Sequence, residues 1–227
     1  SHFARLEKMI WNATAVTPAG AAAVLGSPHL PALAEATFDG NPFAPACALR
    51  LAADAADRPA LKLTLPGVRI ERRDTPDGIE LAAECTDAWN ERRTDEMLAG
   101  FAASAAGRRV AGLSLSGFKL SPAGLTRLAA ALDPARLRSL AVAGNVGNTG
   151  AEALAKAFAG FRPRELRVIA ANVRRGGAEA LAASPLTAAV EFLDLSGNAV
   201  GVAGLAAFAP RAGTLKTFKS TDTGVTG

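Results

Sequence analysis

Tyrosine is absent, and aromatic residues make up only 5% of the chain. A core built mainly of Ala, Leu and Val fills little volume per side chain, so its elements must lie close together. Only two cysteines occur, Cys47 and Cys85, 38 positions apart. That excludes a disulfide framework for 227 residues and fits no metal-ligand spacing, so reduced, buried thiols are expected. Histidine is as scarce, with only His2 and His29. No stretch approaches the roughly 20 apolar residues of a membrane-spanning helix. No charged n-region followed by an apolar run marks a signal peptide, and a cytoplasmic protein is expected. H-E-x-x-H, C-x-x-C and G-x-x-x-x-G-K-[ST] are all missing. A Ser-His-Asp arrangement built on His29 would lack a G-x-S-x-G context. The expectation is a protein that is not an enzyme and uses no cofactor or metal.

What is present describes a folded chain. Apolar residues reach 49% against 20% charged, which excludes general disorder. The net charge of +4 is mild, and its excess is mostly arginine. Ser1-His2-Phe3, with no leading Met, reads as a tag remnant on a piece of a longer protein.

The chain repeats itself. "VAGLSLSGFKLSPAGLTRLAAAL" from Val110, "LRSLAVAGNVGNTGAEALAKAF" from Leu137 and "VEFLDLSGNAVGVAGLAAFA" from Val190 share one pattern. Each runs apolar-x-x-Leu-x-Leu/Val, then an Asn slot, a Gly-containing loop and an Ala/Leu helix pattern. The slots are placed at Thr14, Asn41, Phe118, Asn145, Asn172, Asn198 and Thr223, mostly 25–27 apart, with Val68 filling a further one. Leu113-Ser114-Leu115 and Leu193-Asp194-Leu195 alternate as short half-buried strands do. "GAEALAKAF" puts Ala151, Leu154 and Phe158 on one helical face. Neither half can bury its apolar side alone, so stacked neighbours must complete both. Residues 58–107 blur the register and are read as a degenerate repeat or insert. There, Leu65-Pro66-Gly67-Val68 could equally be a hairpin turn. Trp89 in that segment is either a core plug or an exposed anchor, burial being the commoner fate of Trp.

On these residues, "LxxLxLxxNxxGxxGaxaLa" at 26–28 positions resembles the ribonuclease-inhibitor-like class of leucine-rich repeats, in an Ala-rich bacterial or protist style. The resemblance covers most of the chain as about eight repeats. It implies one α/β domain over 1–227, a horseshoe or arc-shaped solenoid with a parallel inner sheet and outer helices. It also implies slot asparagines that bond loop backbone groups.

Two surfaces are candidate sites. Side chains between the core leucines face the concave side of such a sheet. They include Glu35, Asp39, Lys62, Ser114, Ser116, Glu191, Asp194 and Lys219, with small residues at the middle and charges toward both ends. Arginines recur just before strands: Arg108 and Arg109, Arg136 and Arg138, Arg162 and Arg164. They form a basic rim that either offsets helix C-terminal dipoles or meets an anionic partner. No aromatics interleave with them, which argues against nucleic acid. The Gly144–Gly150 loop opens a helix as phosphate cradles do, yet its glycines recur where repeat turns need them. Asn12-Ala13-Thr14 is a glycosylation sequon only in a secreted setting. The expected function is a non-catalytic protein-interaction scaffold whose partner is another protein. The alternatives are a regulatory module of a GTPase-activating or actin-regulating protein, or an anion- and phosphate-binding surface on the Arg rim.

Overall fold

The computed structural model describes residues 3–55 and 60–221. His2 and the slot at Thr223 lie outside the described residues. Among the described residues, ten strands form one open sheet in chain order. They are β1 (Lys8–Ile10), β2 (Glu35–Thr37), β3 (Ala60–Leu65), β4 (Val68–Thr75), β5 (Gly78–Cys85), β6 (Val110–Ser116), β7 (Ser139–Ala143), β8 (Glu165–Ile169), β9 (Phe192–Asp194) and β10 (Thr217–Lys219). All neighbours are parallel except the two pairs that include β4. Between the strands run α1 (Pro18–Leu25), α2 (Ala48–Asp54), α3 (Glu91–Ala102), α4 (Pro122–Ala131), α5 (Gly147–Ala157), α6 (Arg175–Ala183) and α7 (Gly201–Ala206). Each helix packs against the next in order.

Local chemistry sets the helix starts. Thr17 and Ser121 accept the Gly20 and Gly124 N–H groups at 3.1 and 2.9 Å, each followed by Pro at the first helical position. The matching stretches "TPAG" and "SPAG" are therefore matching caps. Alternation in the strands then sorts the two sheet faces. Leu113, Leu115, Leu140, Val142, Leu166, Val168, Leu193 and Leu195 are buried. Full burial of each such side chain contributes about 1.5–3 kcal/mol. Ala151, Leu154 and Phe158 are buried beneath α5, as the spacing predicts. The Ala-rich helix faces allow the close approach that small side chains demand. At Gly100 of α3 an added Cβ would lie 1.9 Å from the Ala46 carbonyl oxygen.

Residues 60–85 are three strands of the same sheet. β3, β4 and β5 form an antiparallel meander, so Val68 is not a slot residue but opens β4 opposite Leu65. The hairpin alternative holds there, with Pro66 followed by Gly67 at φ +78°, the residue order of a type II turn. β5 and α3 then resume the strand-helix unit. Trp89 is 2% exposed and meets Phe118 edge-on with centroids 5.9 Å apart, so it plugs the core. An aromatic pair fills the space that a polar slot residue occupies elsewhere.

The slot reading is corrected at one further copy. Positive-φ residues Ala13, Gly40, Gly117, Gly144, Ala170 and Gly197 immediately precede each true slot. By that mark the slot after β8 is buried Ala171, and Asn172 lies one position beyond it, exposed. A shorter loop after Asn145 absorbed the missing position, and Asn145 itself is exposed. Asn41 and Asn198 alone make the expected buried bonds among the described slots. Asn41 Oδ1 accepts the Thr14 and Val16 N–H groups at 3.0 and 2.9 Å. Its amide nitrogen donates to the Trp11, Phe38 and Asp39 carbonyls.

Cys47 and Cys85 are unlinked, and both are partly exposed rather than fully buried. No helix among the described residues is long and apolar enough to cross a membrane.

Candidate interaction surface

The side chains between the buried strand residues form the uncovered face of the sheet. Register places them in rows. One row runs Lys8, Glu35, Lys62, Glu71, Ala82, Ser114, Ala141, Arg167, Asp194, Lys219 across all ten strands. A row toward the strand starts runs Arg73, Glu80, Gly112, Ser139, Glu165, Phe192, Thr217. A third, toward the strand ends, runs Ile10, Thr37, Thr64, Arg69, Glu84, Ser116, Ala143, Ile169.

The middle of this face is a recess of about 760 Å³. Its floor includes Ala82, Gly112, Ser114, Ser139 and Ala141, and its walls carry charge. On one wall, Lys62 pairs with Glu71 at 3.7 Å; outside the recess, toward the strand ends, Arg69 pairs with Glu84 at 3.2 Å. Lys8 extends the wall, paired with Glu35 at 2.6 Å. On the other, Arg167 pairs with Glu165 at 2.9 Å and stacks on Phe192 with its guanidinium 4.9 Å from the ring centre. These pairs are exposed, so each contributes no more than about 1 kcal/mol to stability. Their effect is to line the recess with balanced, orientable polar groups around a floor that backbone can approach. Among the described residues the buried Nε of Arg167 has no partner, an uncompensated donor beside the recess.

Glu35, Lys62, Ser114, Ser116, Asp194 and Lys219 all lie on this face, in the rows above. Asp39 follows β2, exposed, and accepts the Gly40 N–H at 3.0 Å. Glu191 does not lie on it: Phe192 pairs with Glu165 and takes the open-face position, leaving Glu191 at the edge where strands begin. Sequence reasoning also missed Arg69, Glu71, Arg73, Glu80 and Glu84. The available signal was the alternation of "VRIERRDT" and "GIELAAEC", masked by the reading of 58–107 as a degenerate repeat or insert.

The six rim arginines are all exposed at the edge where β6, β7 and β8 begin. Three are committed locally. Arg162 donates to the Ala159 and Phe161 carbonyls at 2.7 Å each, capping α5. Arg108 donates to the Leu132 carbonyl at 3.4 Å, and Arg136 lies 3.9 Å from Asp133. Arg109, Arg138 and Arg164 have no side-chain hydrogen bond or ion pair among the described residues. Beyond them, Lys216 bonds Glu191 at 2.8 Å. That bond holds the Glu191 carboxyl below the usual glutamate range; desolvation opposes it, and the charges of Lys216 and Arg164 add to it.

In the Gly144–Gly150 loop, the Gly144, Val146, Gly147 and Gly150 amides are engaged, Gly150 with the Val146 carbonyl. The Gly144 N–H donates to the Ile169 carbonyl, and the Val146 and Gly147 N–H groups donate to the Ala171 carbonyl. Asn12 is exposed and accepts the Asp39 N–H at 3.1 Å. His29 is exposed in the loop after α1.

Compared with known proteins, the chain matches no protein-family model and no curated sequence.

Proposed function

We propose that this chain is a non-catalytic protein-interaction scaffold of leucine-rich-repeat type, an α/β solenoid that receives its partner on the uncovered sheet face. The observation that carries the reading is the recess of about 760 Å³ on that face, floored by Gly, Ala and Ser. A floor of small side chains admits a partner's backbone or a helix at short range, and charged walls confer orientation more than affinity. The recurring strand-loop-helix units and the buried bonding of Asn41 and Asn198 support the repeat assignment. The unlinked Cys47 and Cys85 fit a reducing, cytoplasmic setting.

The test uses Ser114→Trp combined with Ala141→Arg, which fill the recess from exposed positions. Wild-type and variant proteins are immobilised, exposed to nuclease-treated lysate of the source organism, and washed at physiological salt. A discrete partner held by wild type and lost by the variant, with matching circular dichroism and Tm, is the expected result. A partner held equally by both overturns docking on this face.

A further inference from the structure

We infer that the edge formed by Arg109, Arg138 and Arg164 is a docking site for a short acidic peptide segment. The inference rests on the reading of this chain as a protein-binding module and places a second contact outside the recess.

The backbone brings the charges together. The Arg138 N–H donates to the Ala111 carbonyl at 2.7 Å, and the Arg164 N–H donates to the Arg138 carbonyl at 2.8 Å. Arg138 and Arg164 are therefore direct neighbours on adjacent strands, at the strand spacing of about 4.8 Å. Like charges opposite each other on a sheet are unfavourable. Neither guanidinium has a side-chain hydrogen bond or ion pair among the described residues, and only Arg164 is partly offset, by the charge of Glu191 on its other side. The nearest acid in the row, Glu191, is taken by Lys216 at 2.8 Å. Ala111 is level with Arg138, and Arg109, two residues earlier at the end of the turn that leads into β6, adds a third uncommitted cation beside the row.

Local bonding accounts for the other three rim arginines, not for these. Arg162 and Arg108 bond the carbonyls of Ala159 and Leu132, near the ends of α5 and α4, and Arg136 turns back to Asp133. Arg109, Arg138 and Arg164 present planar, always-charged forks to solvent, the geometry that binds carboxylates bidentately. Three neighbouring strands span about 10 Å, which an extended segment of three or four residues covers. Phe161, the aromatic beside Arg162, is buried, so bases would find no stacking platform among the six arginines. The charge pattern therefore favours a run of Asp or Glu over a nucleic-acid strand.

The experiment is fluorescence anisotropy with a labelled peptide carrying four consecutive glutamates in a Gly-Ser frame, and the same peptide with four lysines. The whole chain is titrated at 50 and 300 mM salt. The acidic peptide should bind saturably, the lysine peptide should not, and the higher salt should weaken binding several-fold. Arg109→Gln/Arg138→Gln/Arg164→Gln should lower affinity at least about 10-fold. Arg138→Glu alone should act in the same direction. The recess-filling variant should bind this peptide as wild type does, so loss of recess docking and loss of edge docking are read separately. Absence of saturable binding, or equal binding by the triple variant, overturns the inference. Displacement of the peptide by an oligothymidylate of equal charge at lower concentration would reassign the edge to a nucleic-acid backbone.

Discussion

Asn198 and Ala171 are joined across 27 positions: the carboxamide oxygen of Asn198 accepts the Ala171 N–H at 2.9 Å. The same oxygen accepts the Val173 N–H at 3.1 Å, and the amide nitrogen donates to Val168, Leu195 and Ser196 carbonyls. One buried side chain thus satisfies backbone groups of two successive loops. Asn198→Ala should cost about 2–4 kcal/mol, because orphaned buried backbone groups each cost about 1–3. Asn172→Gly, at an exposed residue with φ +55°, should stay within about 0.5 kcal/mol of wild type. Urea unfolding of both variants checks the corrected slot; a larger loss at Asn172 would refute it.

Arg72 is the one strand residue of β4 that turns a charge inward. Its guanidinium donates to the Ala52, Ala53 and Ala55 carbonyls at the end of α2 and pairs with Asp74 at 2.8 Å. The reversed strand is tied to its neighbouring helix through this group. Arg72→Met should lower stability by about 2–4 kcal/mol, since the α2 carbonyls lose their donors while Asp74 can still reach water. Faster amide exchange confined to α2 and β4 is the accompanying signature. Unchanged exchange there would show that the tie contributes little.

Gly100→Ala tests the close packing of α3. Ala restores about 1 kcal/mol of helix propensity, yet its Cβ would meet the Ala46 carbonyl oxygen. Overpacking costs of about 1–3 kcal/mol should win, leaving a net loss on the order of 1 kcal/mol. Thermal unfolding checks the sign, and a raised Tm would contradict the contact.

Glu191 should titrate below the ordinary glutamate value of about 4.3. Its folded-state pKa is depressed, so the Lys216 pair favours the folded chain above the unfolded value. That contribution is lost as pH falls through the folded value. Carboxyl NMR should show the midpoint rising in Lys216→Met, and rising less in Arg164→Gln. An equal midpoint in wild type and Lys216→Met would remove the hydrogen bond as the cause.

Much of the architecture was readable from local pattern. Leu113-x-Leu115 and Leu193-x-Leu195 alternate, and burying one strand face needs nothing more. Thr17-Pro18 and Ser121-Pro122 mark helix starts because capping is a short-range bond. The rim arginines fall before strands for the same reason: position within a unit fixes position on the edge. These features need only a few neighbouring residues, so the amino-acid order by itself determined them.

Only the tertiary structure decided the rest. "LKLTLPGVRI" fits a slot or a hairpin equally well by period, and the choice was made by pairing across β3, β4 and β5. A one-residue shift separates Asn172 from Ala171, and of Glu191 and Phe192 only one can face the recess. Such shifts move side chains to opposite faces of a sheet with period two, and only hydrogen-bond register between distant strands resolves them. Which arginines stay uncommitted is likewise a property of the assembled edge, because partners such as Leu132 for Arg108 are brought close only by stacking.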